Sequence, residues 1–196
     1  MTIRQKILSV LYPFFRRVVS FAGIHSKISS NNITPPVSFF SLESVLNNGD
    51  IFSFEKLRGK KTIIVNSASD CIYTTQYQAL EYFYAENKNN LIVLGFPTND
   101  FKKQESKTDH HIAAFCKKHF GITFPVMKKT SVLKSTHQHE VFEWLTDKNK
   151  NGWNDQVPTW NFCKYIIDED GRLTYFFESA IEPTHPEFVK AFSTDN

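Results

Sequence analysis

The chain has 196 residues, 41% of them hydrophobic and 15% aromatic, which is enough to bury one ordinary core and unlike a low-complexity or disordered segment. A net charge of +3, with basic residues spread along the chain, excludes a strongly basic nucleic-acid face. Three cysteines, an odd number, exclude a fully paired secreted disulfide framework; they suit a reducing compartment, or one redox pair plus a spare thiol.

The first 35 residues are set apart. Ile3, Ile7, Leu11, Phe14, Phe15, Val18 and Val19 recur at helical spacing, and Arg4, Lys6, Arg16 and Arg17 supply positive charge, so this part reads as a basic amphipathic helix interrupted by Pro13. Residues 1–24 of this kind suit peripheral contact with a membrane surface, and they are too short and too charged to span one. A signal peptide is a second reading, because Arg4 and Lys6 precede an apolar stretch, although two arginines follow it where a small-residue cleavage site belongs. A helix packed on the domain, or a loose extension, is the third. Residues 29–36 (SSNNITPP) read as the linker, which divides the chain into an extension over 1–35 and a single domain over 36–196.

Within that domain, residues 37–45 and 51–54 flank Asn47-Asn48-Gly49-Asp50, a turn signal, and predict an N-terminal β-hairpin. Residues 61–65 (KTIIV) read as a buried strand, 66–70 (NSASD) as a turn, and 74–84 as a helix, so Cys71 falls at a helix N-terminus. Residues 90–96 (NLIVLGF) are a second buried strand and complete a βαβ unit with parallel pairing. Thr108 caps a helix running to about His119, with Lys117 and Lys118 in its last turn and Gly121 as its stop. Residues 136–145 predict a short helix, 161–167 and 172–178 a second hairpin across Asp168-Glu169-Asp170-Gly171, and Thr184 with Glu187 a capping box that opens a last helix ending near Phe192. The class is α/β. A parallel βαβ core, a further helix, an antiparallel hairpin and a final helix follow the order of the thioredoxin-like fold, a mixed central sheet flanked by helices.

Free N–H groups and the positive end of the dipole at a helix start favour an anion, so the Cys71 thiol is expected to ionise near neutral pH; the competing reading is a small buried hydrophobe. Absences narrow the chemistry. Thr74 stands where a C-x-x-C motif needs its second cysteine, and Ala68 stands where a peroxiredoxin-like site has Thr or Ser. None of the seven histidines is assigned to Cys71 as a base, and neither His110-His111 nor His137 with His139 shares a helical face, so metal ligation is not expected. Gln104, Trp160 and Asn161 are placed by loops at the same end of the sheet as Cys71. Each offers N–H donors without charge, which suits a thiolate or the oxygen leaving a broken O–O bond. Their other reading is a solvated Gln, a core Trp and a turn Asn.

The runs GKKTIIVNSASDC (59–71), VLGFPTNDFKKQE (93–105), FCKKHFGITFPVMKK (115–129) and WNFCKYIIDEDG (160–171) resemble the glutathione peroxidase family in order and spacing, over about residues 37–192. The resemblance implies a thioredoxin-like fold and reduction of hydrogen peroxide or organic hydroperoxides by a cysteine-containing, non-selenium thiol peroxidase. It implies Cys71 as the peroxidatic residue, completed by Gln104, Trp160 and Asn161, and Cys116 as the resolving cysteine. It further implies thioredoxin, or glutathione directly, as reductant, no cofactor, and a role in the response to oxidative stress; the long tetramer-forming insertion of some animal members is absent between Phe124 and Trp160, so a monomer is expected. The cysteine usage makes a cytoplasmic setting the expectation, and the N-terminal segment adds membrane association to it. The chain departs from the family pattern at Ile72, where Gly commonly follows the peroxidatic residue, at Lys102-Lys103 in place of Gly-Gly, at Ser106-Lys107 in place of Pro-Gly, and at Thr98 where a cysteine is often seen. Cys163 is expected to be a spare packed in the hairpin. The alternative to turnover is a thioredoxin-fold peroxide sensor or binding protein at the membrane surface, in which oxidation of Cys71 signals.

Overall fold

A computed structural model describes residues 26–29 and 33–192. The core is a five-stranded mixed sheet in which β1 (Ser26–Ile28) is followed by β7 (Leu173–Phe177), β6 (Lys164–Ile167), β4 (Lys61–Ser67) and β5 (Leu91–Pro97). Its centre is β4 (Lys61–Ser67), paired in parallel with β5 (Leu91–Pro97) and antiparallel with β6 (Lys164–Ile167), which pairs antiparallel with β7 (Leu173–Phe177). The long apolar runs of β4 and β5 are buried on both faces, as parallel strands covered by helices require. Helix α1 (Gln76–Asn87) makes the β4-to-β5 crossover, and α2 (Asp109–Phe120), α3 (Glu140–Leu145), α4 (Lys148–Asn151) and α5 (Pro186–Lys190) follow. Two apolar clusters result: Ile63, Val65, Tyr77 and Phe177 belong to one, and Ile64, Phe96, Trp144 and Tyr165 to the other. Neighbouring residues of β4 fall in opposite clusters because strand side chains alternate.

The expected elements are present, with shifted ends. The hairpin lies in β2 (Glu43–Val45) and β3 (Ile51–Ser53), while Phe39–Ser41 is a 3-10 turn that buries Phe39 and Phe40. Asn66 and Ser67, expected as turn residues, extend β4, and their backbone pairs with β5 up to Pro97. Thr108 and Gly121 bound α2 as expected, Thr108 accepting from the His111 N–H and Gly121 adopting φ 65°. Helix α3 starts at Glu140, four residues later than expected, because the His139 ring accepts the Val141 N–H and caps it there. The capping box at Thr184 and Glu187 is not formed: the His185 ring accepts from the Glu187 N–H and Pro186 occupies the first turn.

The extension expected over 1–35 gives part of itself to the sheet. Ser26–Ile28 form β1, the edge strand, paired with β7 from Ser26 opposite Phe177 to Ile28 opposite Tyr175, and the Ser26 hydroxyl bonds the Glu187 carboxylate on α5. The amphipathic pattern of residues 1–24 lies outside the described residues. Among the described residues, no helix is long and apolar enough to cross a membrane.

Candidate active site

Past Ser67 the chain leaves β4, and four residues on, Cys71 sits in extended backbone as the cap of a 3-10 turn, Ile72–Thr75, that leads into α1. Thr74 fixes it: the Cys71 N–H donates to Thr74 Oγ1 at 3.1 Å, and the Thr74 hydroxyl lies 2.9 Å from the Ala68 carbonyl oxygen and 2.7 Å from that of Cys71. The residue noted in the sequence as a missing second cysteine thus holds the first in place. Ile72, where the family has Gly, is half-buried against the apolar cluster that contains Cys71.

The thiol is 3% exposed. Burial raises it to about 11, against the pull of the Tyr73 N–H, the Trp160 and Asn161 side chains and the Ile72 N–H. Ionisation near neutral pH, expected from the helix start, is therefore corrected: the thiol is withdrawn from water, and a 3-10 turn offering one N–H at 3.4 Å, from Tyr73, does not outweigh that.

Trp160 and Asn161 arrive on the turn before β6. Asn66 anchors this turn, its amide donating to the Trp160 carbonyl at 2.9 Å and its carbonyl accepting the Phe162 N–H at 2.6 Å, with Phe162 at φ 70°. Gln104 arrives on the loop after β5, where its carbonyl accepts the Asp70 N–H at 3.1 Å. Its side-chain oxygen accepts from Asn161 Nδ2 at 3.0 Å, so Gln104 is tied to the Cys71 surroundings by its bond to Asn161. The four residues expected to converge from loops at one end of the sheet do converge.

Lys102 and Lys103 hold φ 48° and 53°, so this loop keeps a left-handed backbone that glycines would adopt freely. The Lys102 ammonium stands 5.8 Å from the centre of the Trp160 ring.

Cys116, on α2, is buried in the same apolar cluster as Cys71, and both are free thiols. Burial raises it to about 11, with the Tyr77 hydroxyl lowering it and the charge of Glu105 adding to the rise. Cys163 is buried near Ser179 Oγ at 3.5 Å and Thr159 Oγ1 at 3.7 Å. Sequence reasoning passed over Glu105. It has no solvent exposure, and one oxygen accepts the Ser69 N–H at 2.8 Å and the Ser69 hydroxyl at 2.7 Å, which ties the Gln104 loop to the residues before Cys71. Its signal in the sequence is adjacency to Gln104.

A thioredoxin-like sheet that brings one capped cysteine and uncharged N–H donors to the carboxyl ends of its parallel strands defines a thiol-based redox enzyme. The family model for glutathione peroxidase matches residues 39–146, and the chain belongs to the glutathione peroxidase family. The glutathione peroxidase-like peroxiredoxin 2 of Saccharomyces cerevisiae is 36% identical over 75% of this chain and 91% of its own. The glutathione peroxidase homolog BsaA of Staphylococcus epidermidis is 38% identical over 70% and 86%. Among solved structures, Trgpx in apo form is 31% identical, with a TM-score of 0.58 over 79% of this chain and 92% of that one. The chain is a peroxidase, an oxidoreductase that uses a thiol.

Proposed function

We propose that Cys71 is the peroxidatic residue and Cys116 the resolving one in the reduction of hydrogen peroxide or organic hydroperoxides. One observation carries this reading: the N–H groups of Tyr73 and Ile72 and the side chains of Trp160 and Asn161, all uncharged donors, act on a single buried sulfur, the Tyr73 N–H from 3.4 Å. Cys71 Sγ bonds to one peroxide oxygen, the O–O bond breaks, and the other oxygen leaves as water or alcohol. The thiol is protonated at neutral pH, so its proton passes to the departing oxygen during the attack. Cys71 becomes a sulfenic acid. Neutral donors stabilise the negative charge that develops on sulfur and oxygen.

Cys116 then condenses with the sulfenic acid, which requires α2 to unwind locally, since thiols on two packed elements seldom meet disulfide geometry without backbone movement. An intramolecular disulfide is a substrate for a dithiol, which favours thioredoxin over glutathione as reductant. The relatives' names, which join glutathione peroxidase to peroxiredoxin, support the thiol route. The absence of a long insertion between Phe124 and Trp160 supports a monomer, and three unpaired thiols support a reducing, cytoplasmic setting. From the sequence of residues 1–24 we add peripheral membrane contact, tested by sedimentation with anionic vesicles after a deletion that stops before Ser26.

The deciding experiment is a coupled peroxide assay with thioredoxin and with glutathione. Many equivalents of peroxide consumed per chain are expected, none by Cys71→Ser, and no thioredoxin-driven turnover by Cys116→Ser, in which Cys71 accumulates as sulfinic acid. Consumption that stops near one equivalent would favour signalling.

A further inference from the structure

The loop after β5 carries two lysines on a backbone that disfavours them. Lys102 and Lys103 hold φ 48° and 53°, the left-handed region that glycine enters without strain, and they stand where the family pattern has Gly-Gly. Strain kept beside reacting groups points to a use for the side chains that cause it. Both lysines are exposed. Lys102 Nζ stands 5.8 Å from the centre of the Trp160 ring, and the Trp160 side chain acts on the Cys71 sulfur, so this cation lies one ring away from the reacting atom. Among the described residues, no ion pair includes either lysine. The carboxylates of neighbouring segments are committed elsewhere: Asp70 to Lys107 at 3.2 Å, Asp100 to the Ser131 hydroxyl and the Val132 and Leu133 N–H groups, buried Glu105 to Ser69, and Asp109 to the Lys129 N–H. Two positive charges without counter-ions beside a site raise the local concentration of anions.

Apolar surface completes the rim. Ile72, Tyr73 and Trp160 are half-buried and pack on the cluster that contains Cys71. Ile72 is itself a position where the family commonly has Gly, so two departures from the family pattern add to one rim: Ile72 supplies apolar surface, and Lys102 with Lys103 supplies charge. An apolar chain with an anionic head matches that combination. A carboxylate matches it better than a phosphate, whose favoured partner is a guanidinium fork: the described arginines, Arg58 and Arg172, are held by Glu55 and by Asp168 and Asp170.

We propose that Lys102 and Lys103 form a carboxylate-binding subsite, and that the preferred substrate is an organic hydroperoxide whose apolar chain carries a carboxylate, the chemistry of a fatty-acid hydroperoxide. The ammonium groups take the carboxylate while the chain lies over Ile72, Tyr73 and Trp160. At the other end the S–O bond forms on Cys71 and the O–O bond breaks, and the second oxygen leaves with the thiol proton as the hydroxy acid. Cys71 is oxidised and the hydroperoxide reduced. This deepens the reading of Cys71 as the peroxidatic residue and rests on it.

The test is a single-turnover reaction of the reduced full chain, run without reductant so that a protein drawn to the same charges cannot enter the measurement, with oxidation of Cys71 followed by quenching and peptide mapping. The substrates are a fatty-acid hydroperoxide, its methyl ester, and a lysophosphatidylglycerol bearing the same hydroperoxy chain, each below the concentration at which it aggregates. In wild type the free acid should react about tenfold faster than the ester at low ionic strength. Near 1 M salt, where charges are screened within about 3 Å, that advantage should shrink to about twofold. The double variant Lys102→Gly with Lys103→Gly, which removes both charges and suits the backbone, should bring the ratio to about one. Lys102→Gln with Lys103→Gln should do the same, which separates charge from loop shape, and Lys102→Glu with Lys103→Glu should invert it. An acid-to-ester ratio near one in wild type, or a ratio that survives in both neutral variants, overturns the proposal and leaves Cys71 as the attacking sulfur. A phosphate-bearing substrate faster than the free acid overturns the carboxylate assignment. No oxidation of Cys71 by any of the three removes the peroxidatic reading, and the proposal with it.

Discussion

The donors around Cys71 decide how far its proton is loosened, and each can be removed alone. Trp160→Phe deletes the indole N–H while keeping the ring against Phe101, 5.6 Å away, and Asn161→Ala deletes the amide. Each should slow the reaction with peroxide by about a hundred- to a thousandfold, the range for loss of one donor to developing charge. Burial raises the thiol and these donors lower it, so either variant should raise it further. Alkylation of Cys71 across pH, with Cys116 and Cys163 replaced by Ser, should titrate well above pH 9 in the parent and higher still in both variants. A midpoint near 7 would mean that the helix start prevails over burial after all. Gln104→Ala should have a smaller effect, because Gln104 is tied to the Cys71 surroundings by its bond to Asn161.

At the scale of elements, the loop after β5 keeps a backbone shape that its sequence does not favour. Lys102 and Lys103 each hold positive φ, at a cost of about 1 kcal/mol or more for a residue with a Cβ. Lys103→Gly should therefore stabilise the fold by about 0.5–1 kcal/mol, less than the full relief because glycine gains freedom in the unfolded chain. Lys102→Gly should gain less, since it also loses the cation over Trp160. Denaturant midpoints compared at constant slope would read both, and a loss of stability in Lys103→Gly would show that the lysine side chain is needed there. The same loop shows what the sequence could reveal. Periodicity placed β4, α1, β5 and α2, and the loop ends followed, so Cys71, Gln104, Trp160 and Asn161 were legible. Adjacency in space was not: Ser69 and Glu105 are 36 residues apart, and neither carries a motif that announces the other. The thiol's ionisation was misread for a related reason, because a helix start is visible in sequence and its burial is not. His139 and His185 as caps were likewise hidden, since neither ring is a usual cap residue.

For the molecule as a whole, the buried titratable groups set a stability profile with two opposing slopes. Lys164 has no solvent exposure, and its ammonium donates to Gln76 Oε1 at 2.9 Å and to the Ile181 carbonyl. Burial lowers it to about 7. Below pH 7 both folded and unfolded chains hold this proton and the slope is zero. Between pH 7 and the ordinary lysine value the folded chain has lost it while the unfolded chain keeps it, so stability rises by up to about 1.4 kcal/mol per pH unit. Cys71 and Cys116 act in the opposite sense. Raised to about 11, they stay protonated in the fold after the unfolded thiols have ionised, and stability falls as pH climbs past about 9. His139, lowered by burial, titrates beneath this window. The two slopes cross, so reduced protein should be most stable near pH 9. Lys164→Met should remove the rise between pH 7 and 9 and leave the alkaline fall in place, whatever its net effect at neutral pH from stranding the Gln76 and Ile181 oxygens. Chemical denaturation with reductant present, at pH 7, 8, 9 and 10, measures both limbs. A rise between pH 7 and 9 that survives in Lys164→Met would show that this lysine keeps its charge inside the fold.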